Sequence, residues 1–357
     1  MTSTYMNRSK TIIVAVLILA VFGVYAYWQS RVYRTPVSVG PSPSIEEQIV
    51  SGGPNRDGIP AIDKPIFETV SAADQYLDND GFGLVVTSGT RVRFYPYQIL
   101  VWHEIVNDSF DGKPLLVTYC PLTYTGLVFD PQINTETFLF GTSGKLLNNN
   151  LLMQDRKTNS LWSQAIGEAV VGDLKGTQLK LRPSFTITWA DFKDTFPNGM
   201  VLSRRTGVVR DYTHDPYGNY HTTNAVLFPL SHVDSRLETK KLVFGYKTPD
   251  EQKAYPTDVI QKMLIVNDEV DEHSLFVFWD PDLKTVRGYF RDPTGTPLTF
   301  EWQDNRLVDR ETHSVWNTEG KAISGSLRGT SLTAVPLENH FWFSWAAFHP
   351  NTNVLTP

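Results

Sequence analysis

The chain has 357 residues, 41 % of them apolar and 12 % aromatic, a net charge of −6 and one cysteine. These figures exclude a disulfide scaffold, which needs paired cysteines, a structural thiolate zinc site, which needs more of them, and a disordered chain, which carries fewer aromatics. Arg8, Lys10, Arg31 and Arg34 are the only charges in residues 1–34, so of 32 basic residues 28 remain against 38 acidic ones, and a body of that sign offers nucleic acid no electrostatic footprint.

Residues 1–10 form a short tail, and residues 11–28, TIIVAVLILAVFGVYAYW, follow without a charge. At helical rise this run spans roughly 27 Å against a hydrocarbon core of about 30 Å, which predicts one transmembrane helix serving as a signal anchor. Val24 and Ala26 would suit a cleavable signal peptide, but the run is long for one, and Tyr25, Tyr27 and Trp28 resemble an interfacial belt. The expected arrangement is an N-terminus in the cytoplasm, a membrane partner contacted through this helix, and the bulk of the chain outside the cytoplasm. Residues 29–65 are rich in Pro, Gly and Ser and read as a linker, which places the start of the folded part near Ile66.

The remainder is internally duplicated. Tyr95-Pro96 and Ile105-Val106-Asn107-Asp108 recur 160 residues later as Tyr255-Pro256 and Ile265-Val266-Asn267-Asp268. Asp155-Arg156, Thr158, Ser160 and Trp162 recur as Asp309-Arg310, Thr312, Ser314 and Trp316, and the glycine-patterned segments 167–179 and 320–332 match in the same order. Trp189-Ala190-Asp191-Phe192 and Trp345-Ala346-Ala347-Phe348 close the copies. The order predicts a first β-rich repeat over 66–202, an inter-repeat segment over 203–235 and a second β-rich repeat over 236–357.

Within each copy β-branched and aromatic runs broken by turn residues predict strands, with hairpins across Pro121-Leu122-Thr123 and across Arg156-Lys157-Thr158-Asn159. Helical pattern is scarce: Pro96 suits the first position of a short helix, and Thr188 suits the cap of another that runs through Phe196 and stops at Pro197. The fold class expected is mainly β (α+β): two tandem pseudo-repeats with a few short helices.

Residues kept in both copies are candidates for structure, and polar residues present in one copy alone are candidates for function. The Asp-Arg-x-Thr-x-Ser-x-Trp element falls on the structural side, as groups that satisfy a tight turn, and the glycine-patterned segments suit turns, not a phosphate loop; there is no nucleotide motif. His103, Glu104 and Cys120 fall on the other side, because the second copy has Met263, Leu264 and Asp280 in their places. A thiol outside the cytoplasm is a liability unless buried or used, so Cys120 is the first catalytic candidate, with His103 or Glu104 as its base. Cys120 with His103 would also suit copper or zinc as metal ligands. The bland readings are a small core side chain for Cys120 and a hydrogen-bonded structural imidazole for His103.

A second cluster lies between the copies, where Tyr212, His214, Asp215, Tyr217, Tyr220 and His221 crowd into a turn-rich loop. Their density predicts a binding loop, against the alternative of a strap whose tyrosines pack and hydrogen-bond.

The segments DGIPAID (57–63), YPYQILVWHEIVND (95–108), VTYCPLTYTGLVFD (117–130), the run 140–164 and RDYTHDPYGNY (210–220) resemble the signature segments of a bacterial and archaeal family, domain of unknown function 3179. The resemblance covers most of residues 55–235 and is looser beyond. It places the family's His-Glu on His103-Glu104, its Cys-Pro-Leu on Cys120-Pro121-Leu122 and its Asp-Pro-Tyr on Asp215-Pro216-Tyr217. Many relatives carry a second cysteine three residues after the first; here that residue is Thr123, so a two-cysteine mechanism does not carry over. Some relatives labelled as selenoproteins imply redox use of the cysteine position, and the family supplies no reaction.

Three readings of function follow. One is a membrane-anchored extracytoplasmic thiol or redox enzyme acting through Cys120 on a small-molecule or protein substrate. The second is a copper- or other metal-binding envelope protein, and the third a non-catalytic binding or assembly module of the envelope.

Overall fold

A computed structural model describes residues 44–357, and these are mainly β with a few short helices. Each half of the sequence opens with an antiparallel hairpin, Phe82–Ser88 with Arg91–Pro96 and Leu242–Lys247 with Gln252–Pro256. A helical turn follows, Tyr97–Leu100 or Thr257–Met263, entered from Pro96 or Pro256 at φ −62. The fixed φ of proline pre-sets the entry, and each proline sits at the cap, one position before the first helical residue. Glu104 and Leu264 then end the turn in the left-handed region, at φ 58 and φ 65, each N–H donating to the carbonyl four residues back.

That left-handed residue turns the chain into a three-stranded meander: Ile105–Phe110, Lys113–Cys120 and Thr125–Asp130 in the first half, Ile265–Val270, His273–Asp280 and Thr285–Phe290 in the second. The registers agree, with Ile105 opposite Thr118 and Ile265 opposite Phe278. A second antiparallel sheet follows in each half, around Asn150–Asp155 and around Arg306–Asp309. Each half then returns a strand, Phe185–Thr188 or Glu338–Phe341, to the edge of its opening hairpin. A helix follows directly, Trp189–Thr195 or Trp342–Phe348. Thr188 caps the first of these helices by accepting from Asp191 N–H, as its sequence predicts.

The turn element kept in both copies is a buried network. Asp155 accepts from the N–H and hydroxyl of Thr158 and from the indole N–H of Trp162, and Asp309 accepts from the same groups of Thr312 and Trp316. Ser160 and Ser314 each accept one further backbone N–H, from Leu174 and Leu327. A buried carboxylate is tolerable only when its oxygens are bonded in this way, which is why acid, hydroxyls and indole recur together.

One sequence-based expectation is corrected in the chain's early part. Residues 44–65, read as linker, are built into the fold: Val50–Ser51 pairs with Leu146 and Lys145, Ile62 bridges to Val106, and Thr142 carbonyl accepts from Asp57 N–H. Proline and glycine there suit irregular chain lying along a sheet, whose backbone groups are paired even where side chains bury little. The transmembrane anchor at 11–28, the tail at 1–10 and the remainder of the linker lie outside the described residues. Among the described residues no helix is long and apolar enough to cross a membrane.

The halves meet at the turn after Cys120. Phe341 N–H donates to Thr123 carbonyl at 2.9 Å, Asn339 Nδ2 to Tyr124 carbonyl at 2.8 Å, and the Tyr124 and Phe341 rings stack at 5.3 Å. The first meander is thus propped by the strand that the second half returns to its opening hairpin.

Candidate functional site

His103, Glu104 and Cys120 are brought to one region of the first meander, and all three are buried. His103 follows the helical turn, and both its ring nitrogens are engaged: Nδ1 lies 2.7 Å from Pro60 carbonyl and Nε2 2.7 Å from the Tyr212 hydroxyl. A carbonyl only accepts, so Nδ1 carries the proton and Nε2 accepts from Tyr212. Burial pushes the His103 pKa down, and no hydrogen bond joins this imidazole to Cys120. Pro60 and Tyr212 thus hold this imidazole, and among the described residues the hydrogen bonds of His103 and of the Cys120 thiol have no member in common.

Cys120 ends the central strand and points into a core formed with Leu122, Phe129, Phe140 and Trp162. Its thiol donates to Asn149 carbonyl at 3.7 Å. Burial, with the neighbouring Glu104 charge, pushes the thiol up to about 11. At neutral pH it is a thiol and not a thiolate, the opposite of what activates a nucleophilic cysteine.

Glu104 differs from both. Its left-handed backbone, shared with Leu264, fixes where the side chain leaves the turn, and its carboxyl has no hydrogen-bond partner among the described residues. Burial pushes it up to about 8, so at neutral pH it is largely protonated. Its charge acts on Cys120 and on Tyr217, which draws the three side chains into one neighbourhood.

The inter-repeat segment covers this region as a strap. Trp102 Nε1 donates to His214 carbonyl at 3.1 Å, Tyr220 Oη donates to Leu122 carbonyl at 2.9 Å, and His221 Nε2 donates to Pro121 carbonyl at 2.8 Å. Farther on, Asn149 and Asn148 pair with the backbone of Phe228 and Ser231.

Two clefts open beside the strap. One, of about 260 Å³, has a wall of Tyr97, Tyr119 and Tyr124 facing His214, Asp215 and His221, with Tyr212 also at its edge. The other, of about 310 Å³, lies between Trp102, Arg210 and Tyr217. Of the six predicted binding residues, Tyr212, His214, Asp215 and His221 line the first cleft and Tyr217 the second, while Tyr220 is buried in the strap's contact. His103, Glu104 and Cys120 line neither.

The tyrosine wall was not singled out in the sequence. Tyr97 and Tyr119 stack at 3.9 Å, and Tyr97 Oη bonds to Thr186 Oγ1 at 2.9 Å. The signal was present in the one-copy comparison, since Tyr97 and Tyr124 become Thr257 and Lys284. A Cβ at Gly126 would collide with Tyr97 Oη, and where the second copy has lost the tyrosine it has also lost the glycine, to Val286.

For metal chemistry, no group of three or more His, Cys, Asp or Glu side chains is placed to hold an ion among the described residues. Cys120 and His103 share no bond or common partner there.

Comparison with curated proteins and with solved structures finds no match. The sequence profile described as "Protein of unknown function (DUF3179)" matches residues 56–352, most of the chain and both halves of the duplication, so the chain belongs to that family.

Proposed function

We propose that the chain is a membrane-anchored extracytoplasmic protein whose first repeat binds a small molecule and offers it the protonated carboxyl of Glu104. One observation carries the reading: a buried carboxyl raised to about 8, without a hydrogen-bond partner, beneath a strap that borders two clefts. A structural carboxyl is normally bonded, as Asp155 and Asp309 are. An acid poised near neutral pH suits proton donation to a ligand oxygen or carbonyl, and perturbed values of this kind cluster at functional sites. Tyr217, which lines one of the clefts, feels the Glu104 charge, and in this reading a ligand reaches the carboxyl from that side.

In this reading Cys120 shapes the site as a neutral thiol. The redox and copper readings draw no support from a thiol held at about 11 and an imidazole with both nitrogens occupied. The anchor and the extracytoplasmic placement rest on the charge-free run 11–28 and its basic flanks.

The test is retention of small molecules from a metabolite extract by the full chain, read by mass spectrometry, beside Glu104→Gln and Tyr217→Ala. A compound held by the parent and lost from both variants supports the site. A compound held equally by all three, or none held by any, overturns it.

A further inference from the structure

Among the described residues the second repeat has no counterpart of the strap. In the first repeat Tyr220 and His221 donate to the carbonyls of Leu122 and Pro121, and Tyr217, Tyr220 and Phe228 pack against the core around Cys120. The same positions in the second repeat are Asp282 and Pro281, whose carbonyls accept from no described residue. The surface around them opens into a cavity of about 610 Å³, against about 260 Å³ for the tyrosine cleft.

Its walls carry three indoles, Trp279, Trp302 and Trp316. The Trp316 N–H is spent on Asp309, but those of Trp279 and Trp302 donate to no described residue. Leu264, 46 % exposed, and Ile323, 52 % exposed, extend the apolar floor, a cost in water that a folded chain seldom carries without use. Asn305, Arg306 and Asn317 add polar groups to the lining.

Two requirements narrow the ligand. An apolar molecule would cover the indoles but leave carbonyls, indole N–H groups and amides buried without partners, which is unfavourable for each one. A small ion would satisfy the polar groups and leave the indole faces wet. A ring with one apolar C–H face and hydroxyls around its edge meets both requirements, since each hydroxyl donates and accepts. The lining offers both an acid, Asp282, and a base, Arg306, so no single charge is selected. We infer that the second repeat carries a binding site for a neutral pyranose saccharide, stacked on Trp279 and Trp302 and hydrogen-bonded to the carbonyls of Pro281 and Asp282. In the first repeat the chain's own tyrosines and His221 occupy the equivalent place.

The experiment titrates the full chain with maltotriose, cellotriose and chitotriose, reading tryptophan fluorescence and heat of binding. At least one sugar is expected to bind, with affinity reduced tenfold or more by Trp302→Ala and abolished by Ile323→Glu. Ile323 is exposed, so that variant keeps its core, and unchanged unfolding curves confirm it. Failure of all three sugars to bind, or binding indifferent to both variants, overturns the inference. So does preferential binding of a synthetic peptide of residues 212–229 in the same cavity, which would make it a peptide site.

Discussion

Cys120 and Asp280 end the middle strand of the meander in their respective repeats, and both are fully buried, yet one is a thiol bonded to Asn149 carbonyl and the other a carboxylate paired with Arg287 at 3.2 Å. Asp280 also accepts from the N–H groups of Asp282 and Leu283. The residue opposite Arg287 in the duplication is Leu127, so thiol and leucine in one copy replace acid and guanidinium in the other. The pair has changed together because a charge at this depth must be matched.

Cys120→Asp alone should therefore cost about 3–5 kcal/mol, as a buried carboxylate without its cation. Adding Leu127→Arg should recover part of that loss, and urea unfolding of the single and double variants measures the coupling. Equal stability of the two would refute the matched-pair account. In the parent protein, iodoacetamide at pH 8 should label Cys120 only as fast as the chain opens, given a thiol pushed up to about 11.

Glu104 makes a pH prediction whose sign is opposite to that of a salt-bridged acid. Its folded value, about 8, lies above the ordinary 4.5, so between these the folded state holds more protons than the unfolded one. Its favourable contribution is complete below pH 4.5 and is lost as pH rises through 8, by about 4–5 kcal/mol at most. Glu104→Leu, the residue at the same left-handed position of the second copy, should flatten this slope and raise stability at pH 8. An unchanged slope in thermal melts between pH 5 and 9 would show that the carboxyl does not titrate in this window.

The strap's hold on His103 can be loosened by one oxygen. Tyr212 Oη serves both His103 Nε2 and Thr206 Oγ1, each at 2.7 Å. Tyr212→Phe should leave Nε2 without a donor and cost about 1–3 kcal/mol. Amide exchange should quicken in residues 206–221 and not in the second repeat. With burial pushing the His103 pKa down, its contribution is lost as pH falls below the usual imidazole range, so the variant's strap should open further at pH 5. Exchange that quickens evenly over the chain would speak against a local strap.

The sequence discloses those parts of this architecture whose determinants are local or duplicated. Thr188 announces its helix because a cap is a short-range bond, and the Asp155 and Asp309 networks announce themselves because one set of partners is written twice within eight residues. The six loop residues stand out by density, and five of them reach the clefts. The roles of His103 and Glu104 were hidden because they depend on distant chain. Pro60 carbonyl, 43 residues before His103, and Tyr212, 109 residues after it, fix that imidazole's tautomer. Residues 44–65 mislead because composition records side chains, whereas this segment is held largely by its backbone.

The seam between the repeats contains an ion pair, its carboxylate buried, whose removal should uncouple their stabilities. Lys247 Nζ lies 3.0 Å from Glu338 Oε1 and also donates to Ala165 carbonyl of the first repeat at 3.4 Å. Burial alone would raise Glu338, yet Lys247 and the His340 beside it bring the carboxyl down to about 2. Because the folded value lies below the ordinary 4.5, the pair's contribution is complete above that pH and is lost as pH falls toward 2. Lys247→Met should cost about 3–5 kcal/mol, since it strands a carboxylate that is 2 % exposed, whereas Lys247→Met with Glu338→Leu should restore most of the loss. The single variant should also melt the repeats in two steps where the parent melts in one, because the bond to Ala165 is among those that tie them. One cooperative transition in both variants, with additive costs, would place the coupling instead in the Phe341 and Asn339 contacts at the turn after Cys120.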